Sequence, residues 1–362
     1  MKRFVYLFIL VTTVVFSQEN PNTTTIEASL FGGNVLPHRP DLYHLQGHAQ
    51  AFLTAYNVKT HGRKEWQSAY NFPDYGGYFL YQDFGNPFLG ENISVGAHMN
   101  FYFLKRNLQF HFGNGIAYAN KPYDKVTNSK NKAFGSHYLA NINLGLYYQK
   151  DFLLGKLGFK AGLLFMHYSN GRTKSPNSGI NTYGLNVGLN YNFSDKVANV
   201  QQDTTAQKKY AEKLHYNLVF RTGVNESPLI NSGQKPFYHI GAFVDKRITR
   251  KSSLELGADF FLTQSNKEFI KYKAMAYPEL HLNGNADYKR IGLFVGYEMH
   301  ITKLSFEAQL GYYVYDQFKN DLSLYDRFGL KYHFTKNLYA TAQVKTHLFS
   351  AEAIEYGIGA RF

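Results

Sequence analysis

Apolar and polar residues alternate in short blocks along most of the chain, and turn-forming residues separate the blocks. Successive strand residues point to opposite faces, so period-two alternation predicts β-strands with one apolar face. In the first half the pattern predicts strands over Ile26 to Gly33, Gln50 to Val58, Gly77 to Gln82, Ile93 to Leu104, Leu108 to Ala119, His137 to Gln149, Gly155 to Tyr168 and Thr182 to Phe193. The third is the least regular, and Trp66 to Tyr75 is a candidate extension of it. Alternation stops in the polar, weakly helical stretch between Ser194 and Leu214. It resumes over Tyr216 to Val224, Phe237 to Arg247, Leu254 to Gln264, Arg290 to Ile301, Leu304 to Tyr315, Leu322 to Phe334, Leu338 to His347 and Ile354 to Phe362.

Two sets of eight strands give an even count with both ends on one side, as in bacterial outer-membrane barrels. Tight connections such as Lys105 to Asn107, Thr302-Lys303 and Thr335 to Asn337 fall on that side. Longer ones fall on the other: Asn34 to His44, Asn120 to Gly135, Asn170 to Ile180 and Ser265 to Asn285. The predicted class is therefore all-β, a transmembrane antiparallel β-barrel of about sixteen strands. The last residues, EYGIGARF, end in Phe362 and resemble a C-terminal barrel-assembly signal; NVGLNYNF, ending at Phe193, is a similar string. Two such endings favour two fused eight-stranded units over one large barrel.

Four segments follow. Residues 1–17 have a basic start (Lys2, Arg3), an apolar core and a small residue, Ser17, before Gln18, and predict a cleaved secretory signal. Residues 18–193 form the first barrel unit, 194–213 a polar periplasmic linker, and 214–362 the second unit.

Composition agrees with a barrel. The 362 residues include 30 Tyr, 31 Phe and 31 Gly, which suits aromatic girdles and closely packed strands. A mean hydropathy of −0.36 is no objection, because only alternate strand residues meet lipid. No run after the N-terminus approaches the ~20 apolar residues of a membrane helix. The absence of Cys removes disulfides, thiolate metal sites and a lipoprotein anchor. The formal charge of +13 is scattered over loops and strand ends. That distribution fits a phosphate-bearing lipid surface better than nucleic acid.

The chemistry concentrates in Phe165 to Asn181, FMHYSNGRTKSPNSGIN. Counting back by twos from Ser169 gives His167, Phe165, Leu163, Ala161 and Phe159, a row that is apolar until His167. Asn181 heads the apolar row of Tyr183, Leu185, Val187, Leu189, Tyr191 and Phe193. All three polar residues thus sit on the lipid-facing side, either as girdle residues or as a site for a lipid substrate. A serine hydroxyl needs a base to take its proton, and the base needs a group to fix its tautomer. Ser169, His167 and Asn181 fill these roles, although a neutral Asn stabilises an imidazolium less than a carboxylate does.

His167-Tyr168-Ser169-Asn170, followed by Pro176-Asn177-Ser178-Gly179-Ile180, resembles the active-site segment of the lipid A 3-O-deacylase (PagL) family. The likeness spans roughly Ile26 to Phe193. It implies an eight-stranded outer-membrane barrel that removes an acyl chain from lipid A by a Ser-His-Glu mechanism. By the same resemblance Ser169 is the nucleophile and His167 the base, while Asn170, Asn177 and backbone N–H groups around Gly171 help form an oxyanion hole. The departure is Asn181, where the family has Glu, and no Asp or Glu lies between Phe152 and Ser194. In that respect the triad is similar to outer-membrane phospholipase A, a twelve-stranded, calcium-dependent dimer with His-Ser-Asn and a Ser-Asn-Gly run like Ser169-Asn170-Gly171.

The leading expectation is a serine-dependent carboxylic ester hydrolase acting on lipid A or a related outer-leaflet lipid, at the outer membrane and facing its outer leaflet. The alternatives are a phospholipase A and a non-catalytic barrel serving as channel or scaffold. Arg172 and Lys174 are candidate ligands for lipid A phosphates, or equally solvated loop charges. Expected partners are lipopolysaccharide or phospholipid and the barrel-assembly machinery, not nucleic acid. His38, His44, His48 and Asp41 form a His-rich loop whose spacing matches no tight zinc pattern. No metal or cofactor is expected, with calcium entering only under the phospholipase reading. In the last hairpin His347, Glu352 and Glu355 echo the first site, but Phe349 stands at the nucleophile position, so this half reads as catalytically silent.

Overall fold

The computed structural model describes residues 24–62, 64–194 and 212–362. The predicted signal and nearly all of the predicted linker lie outside the described residues. Two closed antiparallel barrels of eight strands each account for the rest. The first contains β1 (Thr24–Leu36), β2 (His48–Val58), β3 (Asp74–Asp83), β4 (Glu91–Phe103), β5 (Leu108–Ala119), β6 (Tyr138–Leu154), β7 (Leu157–Ser169) and β8 (Ile180–Asn192). It closes by pairing β1 with β8, from Thr25 opposite Asn192 to Leu36 opposite Asn181. The second contains β9 (His215–Asn225), β10 (Lys235–Arg247), β11 (Ser252–Thr263), β12 (Arg290–Ile301), β13 (Leu304–Asp316), β14 (Leu324–His333), β15 (Leu338–His347) and β16 (Ser350–Arg361). It closes between β16 and β9, with Tyr356 opposite Thr222 and Arg361 opposite Asn217.

All sixteen predicted strands are present. The third starts at Asp74, so Tyr75 belongs to it, whereas Glu65–Ala69 forms a short helix, α1. The region expected as the loop Ser265 to Asn285 instead contains the helix α2 (Gln264–Ala276). Its sequence hides it because only Phe269 and Ile270 are buried as hydrophobics, packing with Phe318 rather than forming a full apolar stripe.

The pleat sorts side chains as the alternation requires. Leu163 and Leu185 are more than half exposed on the outer surface, while Lys160, Leu164, Met166 and Tyr168 from the alternate row of β7 are buried. Many inward polar groups find partners, as burial away from water favours. In the first lumen Lys160 pairs with Glu27, Tyr78 Oη donates to Asn141 Oδ1 at 2.8 Å, and Tyr168 Oη donates to Gln82 Oε1 at 2.7 Å. In the second, Arg327 bonds Glu355 at 2.6 Å and Asp259 at 2.9 Å. Lys331 Nζ stands among Glu255, Glu298 and Glu307 at 3.2, 3.0 and 2.9 Å. Side chains fill both lumens.

The barrels stand side by side. At the short-loop end, the long β2–β3 connection reaches the second barrel, with Tyr70 Oη donating to His300 O at 2.9 Å and Glu65 pairing with Arg250 at 3.1 Å. Midway, Phe112 and Phe306 meet edge to face with centroids 6.0 Å apart. At the opposite end the β7–β8 loop meets the β9–β10 loop, with Glu226 N–H donating to Arg172 O at 2.9 Å.

Candidate active site

His167 on β7 lies opposite Asn181 on β8 in the strand register. Cross-strand partners lie within side-chain reach, and His167 Nδ1 is 2.6 Å from Asn181 Oδ1. The amide oxygen can only accept, so Nδ1 carries the proton and Nε2 holds a lone pair. Asn181 Nδ2, a donor only, lies 3.2 Å from His38 Nδ1, and His38 Nε2 lies 3.0 Å from Ser178 O. One tautomer satisfies all three bonds: His38 accepts at Nδ1 and donates from Nε2. Register explains the reach, because Leu36 opposes Asn181 across β1 and β8 and His38 lies two residues farther along.

Ser169 is the last residue of β7, on the same outward row as His167. Its Oγ is bonded by the Gly171 N–H at 3.0 Å and by Asn177 Nδ2 at 3.0 Å, and lies 3.2 Å from Asn177 Oδ1. Among the described residues no hydrogen bond joins Ser169 Oγ to His167 Nε2. Asn170 N–H donates to Asn177 Oδ1 at 2.8 Å, while its side-chain amide donates to Lys174 O at 2.7 Å and Ser136 Oγ at 3.0 Å. Asn170 therefore ties the loop together, and Asn177 and Gly171 aim donors at the serine.

Two glycines are required by this shape. Gly179 has φ +71°, and a Cβ there would stand 2.9 Å from His167 Cε1. Gly171 has φ +62°, and a Cβ there would collide with Ile354 Cγ1 of the second barrel. The β5–β6 loop supports the far side, with Gly179 N–H donating to Ala133 O at 2.8 Å and Ser178 N–H to Lys132 O at 3.2 Å.

The structure separates the two loop cations. Arg172 turns towards the second barrel, where Glu352 and Asp321 feel its charge. Lys174 is exposed at the rim of an open hollow of ≈ 800 Å³, lined also by Phe88, Lys121, Tyr123, His137 and Tyr138. Asp124 at the same hollow accepts the N–H groups of Thr127 and Val126 and the Thr127 hydroxyl, which hold its carboxyl below the usual range.

The His-rich loop is dispersed: His44 Nε2 bonds Lys130 O at 2.7 Å and His48 Nδ1 bonds Asn34 Oδ1 at 2.7 Å. Among the described residues, Glu255, Glu298 and Glu307 group closely enough to hold a metal ion, but the Lys331 ammonium lies between them. In the second barrel's echo of the site, His347 is buried and bonds Tyr313 Oη at 2.9 Å, while Phe349 points outward. Sequence reasoning missed His38 as a partner of Asn181. Its polar character in the loop after β1 was visible, but its partner lies 143 residues away.

Fold and site together define a two-barrel membrane protein with a polar, hydrogen-bonded constellation on its lipid-facing side. Residues 50–190 match the family model of lipid A 3-O-deacylase (PagL), and residues 214–362 match that of the acyloxyacyl hydrolase C-terminal domain. The first barrel is thus similar to lipid A 3-O-deacylase (PagL), and the second to an acyloxyacyl hydrolase C-terminal domain. These matches support an outer-membrane lipid A deacylase, and hence an ester hydrolase. No curated protein sequence matches the chain. Among solved structures, Neisserial surface protein A is similar at 9% identity and TM-score 0.29, over 48% of this chain and 99% of that one. OccAB3 from Acinetobacter baumannii is similar at 11% identity and TM-score 0.23, over 94% and 99%. Likenesses at that level decide nothing about this chain.

Proposed function

We propose that this protein hydrolyses an acyl ester of lipid A at the outer leaflet, with Ser169 as nucleophile, His167 as base and Asn181 as the group that fixes the imidazole. The observation that carries this reading is the 2.6 Å bond between His167 Nδ1 and Asn181 Oδ1, which leaves Nε2 available on the row that Ser169 shares. Rotation of Ser169 about χ1 brings its hydroxyl to Nε2 when substrate enters; such bonds commonly tighten only in the Michaelis complex. Nε2 takes the proton as Oγ attacks the acyl carbonyl, then returns it to the sugar oxygen as the ester bond breaks. Water repeats the sequence on the acyl-enzyme, releasing fatty acid.

Gly171 N–H and Asn177 Nδ2, freed from the hydroxyl, bind the carbonyl oxygen as it gains charge. Lys174, at the hollow beside the loop, receives a phosphate of the lipid headgroup. Arg172 serves the loop rather than the headgroup. The long-loop end faces the outer leaflet. Packed lumens argue against a channel.

A phospholipase A reading rests on the same residues and is favoured by Asn181 as third member. Mass spectrometry of lipid A and phospholipids from outer membranes separates the two. Loss of one acyl chain from lipid A with the native protein, absent with Ser169→Ala, is the expected result. Lysophospholipid with intact lipid A moves the assignment to phospholipase, and no change in either pool removes the enzyme reading.

A further inference from the structure

We propose that the second barrel holds the nucleophile loop in its working shape, with Glu226 as the positioning residue. This rests on the reading of Ser169 and Gly171 as nucleophile and oxyanion donor. The loop that follows Ser169 turns sharply at its start, where Gly171 and Arg172 both adopt positive φ, +62° and +60°. A non-glycine residue in that region is disfavoured by its Cβ, so some other contact must hold Arg172 there.

That contact comes from the second barrel. The Glu226 N–H donates to Arg172 O at 2.9 Å, and the Glu226 carboxylate accepts the Ser175 N–H at 2.7 Å. Ser175 Oγ donates to Ser227 O at 2.6 Å, and Gln234 Nε2 donates to Thr173 O at 2.9 Å. Ile354 fills the space above Gly171. Arg172, Thr173 and Ser175 are thus each hydrogen-bonded by the neighbouring barrel.

Glu226 itself is 3% exposed, and its other oxygen accepts the Gly233 N–H at 2.8 Å. Among the described residues no cation pairs with it. A buried carboxylate satisfied by backbone donors on two different loops is a strong, directional clamp. It acts on catalysis through Gly171, whose N–H lies 3.0 Å from Ser169 Oγ only while the loop keeps its turn. A donor misplaced by an ångström loses much of its effect on an oxyanion. The second barrel therefore contributes to the reaction without offering a nucleophile of its own.

The test compares full-length wild type with Glu226→Ala, Glu226→Gln and the control Glu268→Ala, which removes an exposed ion pair with Lys235 at the second barrel's rim, each refolded and scored for folded fraction by heat-modifiable gel migration. For detergent-dispersed lipid A, Glu226→Ala should lower kcat per folded protein by about 10- to 100-fold with KM unchanged. Glu226→Gln, with one acceptor left, should fall between. Phosphonylation of Ser169 by a fluorophosphonate should slow in the same order, and amide exchange over residues 170–175 should accelerate. Wild-type kcat in Glu226→Ala, or a loss matching its unfolded fraction alone, overturns the clamp. Unchanged exchange over 170–175 overturns it too, and does so even if the wild type proves inactive on lipid A, an outcome that would fail the deacylase reading instead.

Discussion

His167 and Asn181 face each other across β7 and β8, and the bond between them, 2.6 Å from Nδ1 to Oδ1, joins two residues of the lipid-facing rows. A neutral amide fixes the tautomer but adds little to the stability of the imidazolium. An isosteric carboxylate adds charge without changing reach. Asn181→Asp should raise kcat on the alkaline plateau by about ten-fold, the difference between a neutral and a charge-assisted hydrogen bond. The sign for pH follows: the carboxylate makes His167 hold its proton to higher pH, so the acid limb of the pH–rate profile shifts upwards. Unchanged limb and plateau would show that Asn181 does not serve His167.

His38 is the next link in that chain. Its Nδ1 lies 3.2 Å from Asn181 Nδ2, and polarisation of the amide strengthens the oxygen as an acceptor. His38→Ala removes about 1 kcal/mol of hydrogen bonding, which corresponds to roughly five-fold in kcat. KM should stay constant. Steady-state kinetics on dispersed lipid A distinguish this from a binding defect, in which KM alone rises.

Gly179 lies against the base. A methyl group there would stand 2.9 Å from His167 Cε1, on a residue with φ +71°. Gly179→Ala should cost roughly 1–2 kcal/mol in backbone strain and displace the imidazole. The expected signature is a large loss of kcat in a barrel that still migrates as folded on unheated gels. Retained activity would place His167 outside the reaction.

Lys331 is the common cation of Glu255, Glu298 and Glu307, all buried. Lys331→Met leaves three carboxylates facing one another, and breaking a buried pair costs about 3–5 kcal/mol. The denaturant midpoint of the second barrel should fall accordingly. A metal ion would rescue the variant only if the trio can bind one, which titration with calcium or zinc during refolding would reveal.

Much of this was readable along the chain because a strand has a rigid period of two. Alternation alone put His167, Ser169 and Asn181 on one face, and the burial of Lys160, Met166 and Tyr168 on the other follows from the same parity. It also separated sixteen strands into two groups, which close as two barrels. The helix Gln264–Ala276 escaped notice because its burial is confined to one turn and its helical stripe is weak. Arg172 and Lys174 read alike as loop cations, yet one faces the second barrel and the other the open hollow.

Local pattern thus determined the strands, their faces, their division into two groups and the residue types of the site, since each depends on spacing within a few residues. Tertiary structure decided which partners close the site: His38 on Asn181, Lys132 and Ala133 on the glycine turn, and Glu226 on the nucleophile loop. These contacts join segments far apart in sequence. Their formation depends on barrel closure and on the packing of one barrel against the other, and no periodicity along the chain encodes either.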